Sequence, residues 1–199
     1  NGEAGFAAAA AGVDSDSQYN TSAGTNAGDS FSGTSAEQNT LFGYNAGTGI
    51  TTGDYNVAIG AFTLDAATTG SQCTAVGRAS QTTGNGINNT SVGFYALRLL
   101  TGQSCTAVGA EAGAAMGNAD FNTAIGAQSL SGCSTGSYNT AVGMYSNRYG
   151  TTGQYNESLG YNSLRGHSSN FTGSYNIGIS KGSLENVTSG SYNCAIGAD

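Results

Sequence analysis

Proline and tryptophan are absent from this chain of 199 residues, and only 9% of it is charged. An ordinary domain carries near 25% charge, so solubility here must rest on packed apolar rungs rather than a charged surface. The five basic residues, Arg78, Arg98, Arg148, Arg165 and Lys181, form no cluster in a chain of net charge −7. Nucleic acid is therefore excluded as a partner, since phosphate neutralisation needs clustered cations. No apolar run reaches the length that spans a membrane, so membrane insertion is not expected. The run at residues 7–11 has no basic segment before it and does not read as a signal peptide. A start at Asn1 rather than Met predicts a processed product or a fragment. The four cysteines, Cys73, Cys105, Cys133 and Cys194, form no C-x-x-C pair, which fits neither a zinc site nor a disulfide scaffold. No cofactor or metal site is expected.

Glycine is abundant, at 33 residues, without the three-residue period of collagen. Disorder is favoured by high charge and a shortage of aromatics. Here 11 Tyr and 7 Phe are spread along the chain, and Val and Ile recur on a schedule. The chain reads as ordered.

One phrase returns throughout: TGSYNTAVG at residues 135–143, with close relatives such as TGDYNVAIG and GSYNCAIG. Its closing glycines are Gly24, Gly43, Gly60, Gly77, Gly93, Gly109, Gly126, Gly143, Gly160 and Gly197, with Ser180 in the one exceptional coil. Spacing is about 16 to 17 residues, widening to about 19 or 20 near Gly24 and Ser180. An earlier coil could close at Gly5. The period predicts an all-β, parallel β-solenoid (β-roll) of about 11 coils of roughly 17 residues. Residues 1–18 are expected to be a degenerate first coil or entry segment, and residues 19–199 the tandem-repeat solenoid. Stacking at strand spacing gives a rise near 4.8 Å per coil and a rod of roughly 50 Å.

The columns of the repeat carry chemistry. An aliphatic column precedes the glycine: Ile59, Val76, Val92, Val108, Ile125 and Val142, continued by Leu159, Ile179 and Ile196. A small column stands one residue earlier, as Ala58, Ala75, Ser91 and Ala107. An amide column contains Asn56, Asn89, Asn122, Asn139 and Asn156, with Cys73 and Cys105 filling two gaps. Thr74, Thr90, Thr106, Thr123 and Thr140 form a threonine column, and Tyr55, Phe121, Tyr138, Tyr155, Tyr175 and Tyr192 a broken aromatic one. Alternation puts Tyr, Thr and Ile/Val on one strand face, Asn and Ala/Ser on the other. Both faces lack charge, so both require cover: one from the coil itself, the other from neighbouring chains or a second face of the fold. A second short strand is expected after the glycine, its Leu column (Leu64, Leu97, Leu130, Leu164, Leu184) pointing inward to meet the aliphatic column. The asparagines read as a structural ladder of stacked amides. Cys73 and Cys105 lie two coils, about 9.6 Å, apart, which exceeds disulfide reach and predicts reduced thiols standing in for Asn.

On phrases such as Asn122-Thr-Ala-Ile-Gly126 and Asn139-Thr-Ala-Val-Gly143, the chain resembles two groups. These are the β-roll heads of trimeric autotransporter adhesins and the NTA[VI]G repeat regions of bacteriophage tail fibres. The longer coil here is more similar to the fibre group. The resemblance implies a homotrimer of parallel solenoids on a virion or cell surface, used for attachment, and transfers no catalytic residue.

Motifs with catalytic meaning are weighed against this background. Gly132-Cys-Ser-Thr-Gly136 matches a nucleophile elbow, but it lies in a repeat turn and the chain's one histidine is His167. No enzyme activity is expected. His167 has no accompanying carboxylate or cysteine to complete a metal site. Asp14 and Asp16 read as solvated turn residues. The N-x-S/T sequons, Asn170 among them, are as frequent as composition alone produces, and three fall in the amide column. Two other functions stay open: a self-assembling extracellular filament or surface-layer subunit, and an ice-binding solenoid presenting its Thr column. A recognition surface for a host glycan or protein is expected on the outward turns, at Tyr145, Arg148, Tyr149, Tyr161, Arg165 and His167, because Tyr and Arg are common interface anchors.

Overall fold

A computed structural model describes residues 14–31, 35–167 and 171–198. The expectations placed on Gly5, on residues 7–11 and on Asn170 lie outside the described residues. A two-residue strand, β1 (Asp14–Ser15), comes first. Eleven three-residue strands follow: β2 (Thr21–Ala23), β3 (Thr40–Phe42), β4 (Val57–Ile59), β5 (Thr74–Val76), β6 (Thr90–Val92), β7 (Thr106–Val108), β8 (Thr123–Ile125), β9 (Thr140–Val142), β10 (Glu157–Leu159), β11 (Ile177–Ile179) and β12 (Cys194–Ile196). They form one sheet in sequence order. From β2 to β12 every neighbour is parallel, so the chain is a parallel β-solenoid whose repeats are successive coils. Register keeps each column of the repeat in line, as in Thr123↔Thr140, Ala124↔Ala141 and Ile125↔Val142.

Local sequence sets the length of each strand. The residue before the asparagine is left-handed, as at Tyr138 (φ 60°), and the closing glycine turns the chain again, as at Gly126 (φ +124°). Between them only the β-branched triplet can extend. Gly126 is needed for a second reason: a Cβ there would stand 2.6 Å from the carbonyl carbon of Gly143 in the next coil.

The second strand of each coil does not form. A turn replaces it, with left-handed residues two and four positions after the glycine, as at Gln128 (φ 55°) and Leu130 (φ 48°). This alternation aims successive amides at opposite neighbours. Gln128 N donates to Ala110 O in the preceding coil (2.9 Å), and Leu130 N to Ser146 O in the following one (3.1 Å). The turn is thus hydrogen-bonded along the rod without strand geometry.

The two strand faces are also the reverse of the expectation. From β4 to β10 the Ala/Ser column is buried, with Ala58, Ala75, Ala107, Ala124 and Ala141 at 0% exposure. The amide column is buried with it, while Ile59, Val92, Val108 and Ile125 are 37–43% exposed and Val76 and Val142 half-buried. The Leu column does point inward, but Leu64, Leu97 and Leu130 cluster with alanines and with Cys73, Cys105, Met116 and Cys133 rather than with the aliphatic rungs. The reason is width: a one-strand coil encloses a thin core that leaves room for Ala or Ser beside a leucine, and the larger Leu41 fits this column in β3 only where the turn residue it meets is Gly47.

Within that core, two positions three residues apart share one space. Gly47 is paired with Ile50, Leu64 with Ala67, Gln81 with Gly84, Gly113 with Met116 and Leu130 with Cys133, a large residue with a small one each time. Leu97 and Leu100 break the pattern, and the glycine of the next coil accommodates them. A Cβ on Gly113 would be 2.8 Å from Leu97 Cδ2 and 3.0 Å from Met116 Cε. In the widened coil, Phe171 is wholly buried, and its N–H donates to Tyr149 O at 2.9 Å.

The amide ladder runs with one polarity. Asn139 N and Nδ2 donate to Asn122 Oδ1 (2.9 and 3.2 Å), and Asn139 Oδ1 accepts from Asn156 N and Nδ2 (3.0 and 3.1 Å). Asn139 Nδ2 also donates to Gly153 O at 2.9 Å. Cys105 copies this pattern with sulfur. Its Sγ donates to Ala119 O at 3.2 Å and accepts from the backbone and side chain of Asn122. Both Cys73 and Cys105 are unpaired and buried, as the stacking register requires.

Asp16 is exposed beside a turn, as expected, but its carboxylate is engaged. Its Oδ1 accepts from Asn20 N at 2.9 Å and its Oδ2 from Asn20 Nδ2 at 2.9 Å, so its carboxylate replaces the missing rung before the first asparagine. With β1 antiparallel to β2, it caps that end of the sheet.

Candidate functional site

Two outward surfaces remain once the core is assigned. The first is the outer strand face, made of the aromatic, threonine and aliphatic columns. Glu157 is its one charged side chain among the described residues. Phe121, Tyr138, Tyr155, Tyr175 and Tyr192 stack there as a continuous ladder, ring centroids 4.9–5.0 Å apart and planes within 15°. The rings are 43–78% exposed, so this apolar face is laid flat toward solvent along the rod. Thr40, Thr74, Thr90, Thr106 and Thr123 lie half-buried between the rings and the aliphatic rungs, which stand out further.

The second surface is the ridge formed by the turns after each glycine. It brings together four of the six expected recognition residues. Arg148 lies over the Tyr145 and Tyr149 rings, 4.7 and 5.0 Å from their centroids, and Tyr161 tilts against Tyr145 at 6.0 Å. Arg165 is engaged instead with Glu185, Nη2 to Oε1 3.2 Å. His167 is exposed two residues further along the chain.

Sequence reasoning missed a second cluster on the same ridge: Phe62, Arg78, Phe94, Tyr95 and Arg98. The signal for all but Arg98 lay in comparing the two positions after the glycine from coil to coil. All five cations of the chain fall in these turn segments, together with Asp29, Asp65, Glu111 and Glu185, whereas Glu37, Asp54 and Asp120 lie in the opposite connections. A groove of about 360 Å³ runs along that opposite side, lined by Ile87, Gln103 and Asp120 among others. Its one carboxylate, Asp120, accepts from Gln103 N at 2.8 Å.

The remaining reactive groups are committed to structure. Ser134 Oγ of the G-x-S-x-G motif donates to Thr151 O at 3.1 Å. Burial pushes the Cys105 thiol up to about 11 and the Cys133 thiol up to about 12. Among the described residues no three His, Cys, Asp or Glu side chains gather as a metal site, and no helix is long and apolar enough to cross a membrane.

Fold and surfaces define a charge-poor parallel β-solenoid with one apolar face and one aromatic–cationic ridge. No family model matches the chain, and neither a curated protein nor a solved structure does.

Proposed function

We propose that this chain is a non-enzymatic fibre module, a homotrimer of parallel solenoids displayed on a virion or bacterial surface for attachment. The observation that carries the reading is the outward strand face, which among the described residues bears one charge, Glu157. Exposed aliphatic and aromatic rungs stay costly until covered. A second copy is the natural cover, because its rungs repeat at the same strand spacing and can interleave along the whole rod. The resemblance of the Asn-Thr-Ala-Val-Gly repeats to fibre and adhesin repeats supports three copies rather than two. With the strand face mated, the turn ridge faces outward, which suits it to touch a host glycan or protein.

The filament alternative is weakened by the first end of the rod, where β1 and Asp16 occupy the edge that head-to-tail stacking needs. The ice-binding alternative is weakened by the aliphatic and tyrosine rungs standing above the threonines. Attachment is tested by cell binding of the wild type against a Tyr149→Ala, Arg165→Ala, His167→Ala variant of equal melting temperature and mass. Reduced binding is expected; unchanged binding makes this part of the ridge a spacer.

A further inference from the structure

The uncovered cluster around Arg78 has the chemistry of an anion site. The Arg78 guanidinium lies 5.8 Å from the ring centroids of Phe62 and of Phe94 and 5.7 Å from that of Tyr95. Its Nη1 donates to Tyr95 Oη at 3.2 Å, which fixes the plane. Arg98 approaches the same Tyr95 ring at 5.0 Å, and its Nε is buried with no hydrogen-bond partner. One tyrosine therefore separates two guanidiniums. Among the described residues no carboxylate pairs with either, although acids outnumber bases in the chain by 12 to 5. The acids in the flanking coils are poor counter-charges. Glu111 is turned to Gln128, whose Nε2 it accepts at 3.0 Å, and burial raises the Asp65 carboxyl above its usual range. Two cations gathered on one ring without a counter-ion make a positive patch, and a bound anion neutralises it.

The surroundings narrow the class of anion. A guanidinium fork matches a carboxylate with two parallel hydrogen bonds. Phe94 is 43% exposed beside it, offering an apolar surface to the C–H face of a sugar ring. A second Arg–aromatic cluster, Tyr145, Arg148 and Tyr149, stands four coils further along the ridge, about 19 Å away at strand spacing. A ligand that engages both must be a polymer with a repeated acid, and engaging both multiplies its affinity. We infer that the turn ridge binds a carboxylated polysaccharide, with Arg78 and Arg98 holding a carboxylate and Phe62 and Phe94 packing on the sugar. This deepens the attachment reading and rests on it only in expecting a surface glycan; the cluster itself belongs to each chain and requires no trimer.

The test is calorimetric titration of the whole chain with an oligogalacturonate, with the same oligosaccharide reduced at its carboxylates, and with poly-glutamate. Binding of the oligogalacturonate alone is expected, weakened at least tenfold in an Arg78→Gln, Arg98→Gln variant and several-fold in Phe94→Ala. Arg78→Lys keeps the charge and loses the fork, so it too should weaken binding while retaining the wild-type melting curve. No binding at millimolar ligand overturns the inference. So does equal binding of the reduced sugar or of poly-glutamate, or wild-type affinity in the variants. Sedimentation of the same samples separates the two proposals: a monomer that binds the oligogalacturonate removes the trimer and leaves this site.

Discussion

Asn139 offers the sharpest perturbation, because the ladder assigns every polar atom of its side chain. Asn139→Ala leaves Gly153 O without its donor and the buried Asn156 N–H without its acceptor. Each orphaned buried group costs about 1–3 kcal/mol, so the loss is roughly 2–6 kcal/mol. For a chain of this length that lowers the melting temperature by roughly 4–24 °C. Asn139→Cys should lose far less, because a thiol already fills this column at Cys105 with a donor to Ala119 O and an acceptor for Asn122. Thermal unfolding by circular dichroism gives the ranking, wild type above Cys well above Ala. Hydrogen exchange at the Asn156 amide should accelerate in the alanine variant first. Equal melting of the alanine and cysteine variants would refute the reasoning, since it would mean that ladder hydrogen bonds contribute nothing beyond side-chain volume.

The shared core space predicts that Gly113→Leu collides with Leu97 and Met116 and destabilises the rod by about 1–3 kcal/mol. Adding Met116→Ala should recover only part of that in thermal melts, because the contact with Leu97 Cδ2 remains. Ile125→Asp sits on the exposed face, so the circular dichroism spectrum should be kept while light scattering shows loss of association; an unchanged mass contradicts the interface. Cys194 should react with a thiol reagent in the native chain at pH 8, and Cys73, Cys105 and Cys133 only after denaturation. At that pH a thiol with its pKa near 12 is ionised to roughly one part in ten thousand. Mass spectrometry showing equal labelling of all four would contradict the buried column.

The repeat was legible because each coil must satisfy the same constraints, so Asn, Gly and the β-branched triplet return in register. The Asn–Cys equivalence was legible for the same reason. Which face turns inward was not, because alternation along a strand fixes only that neighbours are opposed. The choice between Ala and Val as the inner residue depends on core width, which belongs to the closed coil and not to the strand. The second strand failed because Leu64, Leu97, Leu130 and Leu164 adopt left-handed backbone, a conformation that leucine seldom takes and that no residue pattern announced. Asp16 was passed over since its partner Asn20 matters only once the ladder has a direction. On the ridge, Tyr145, Arg148 and Tyr149 were found because they are close in sequence. Phe62, Arg78 and Phe94 come from three different coils and meet only through stacking.

What covers the outer strand face decides between a fibre of associated rods and a solitary one. Sedimentation equilibrium of the wild-type chain across a dilution series from micromolar concentration measures it directly. A species of three times the 19.7 kDa chain mass is predicted, persisting on dilution and falling to one chain mass in Ile125→Asp. A folded wild-type monomer at micromolar concentration, with the stacked tyrosines and aliphatic rungs left in water, would contradict it.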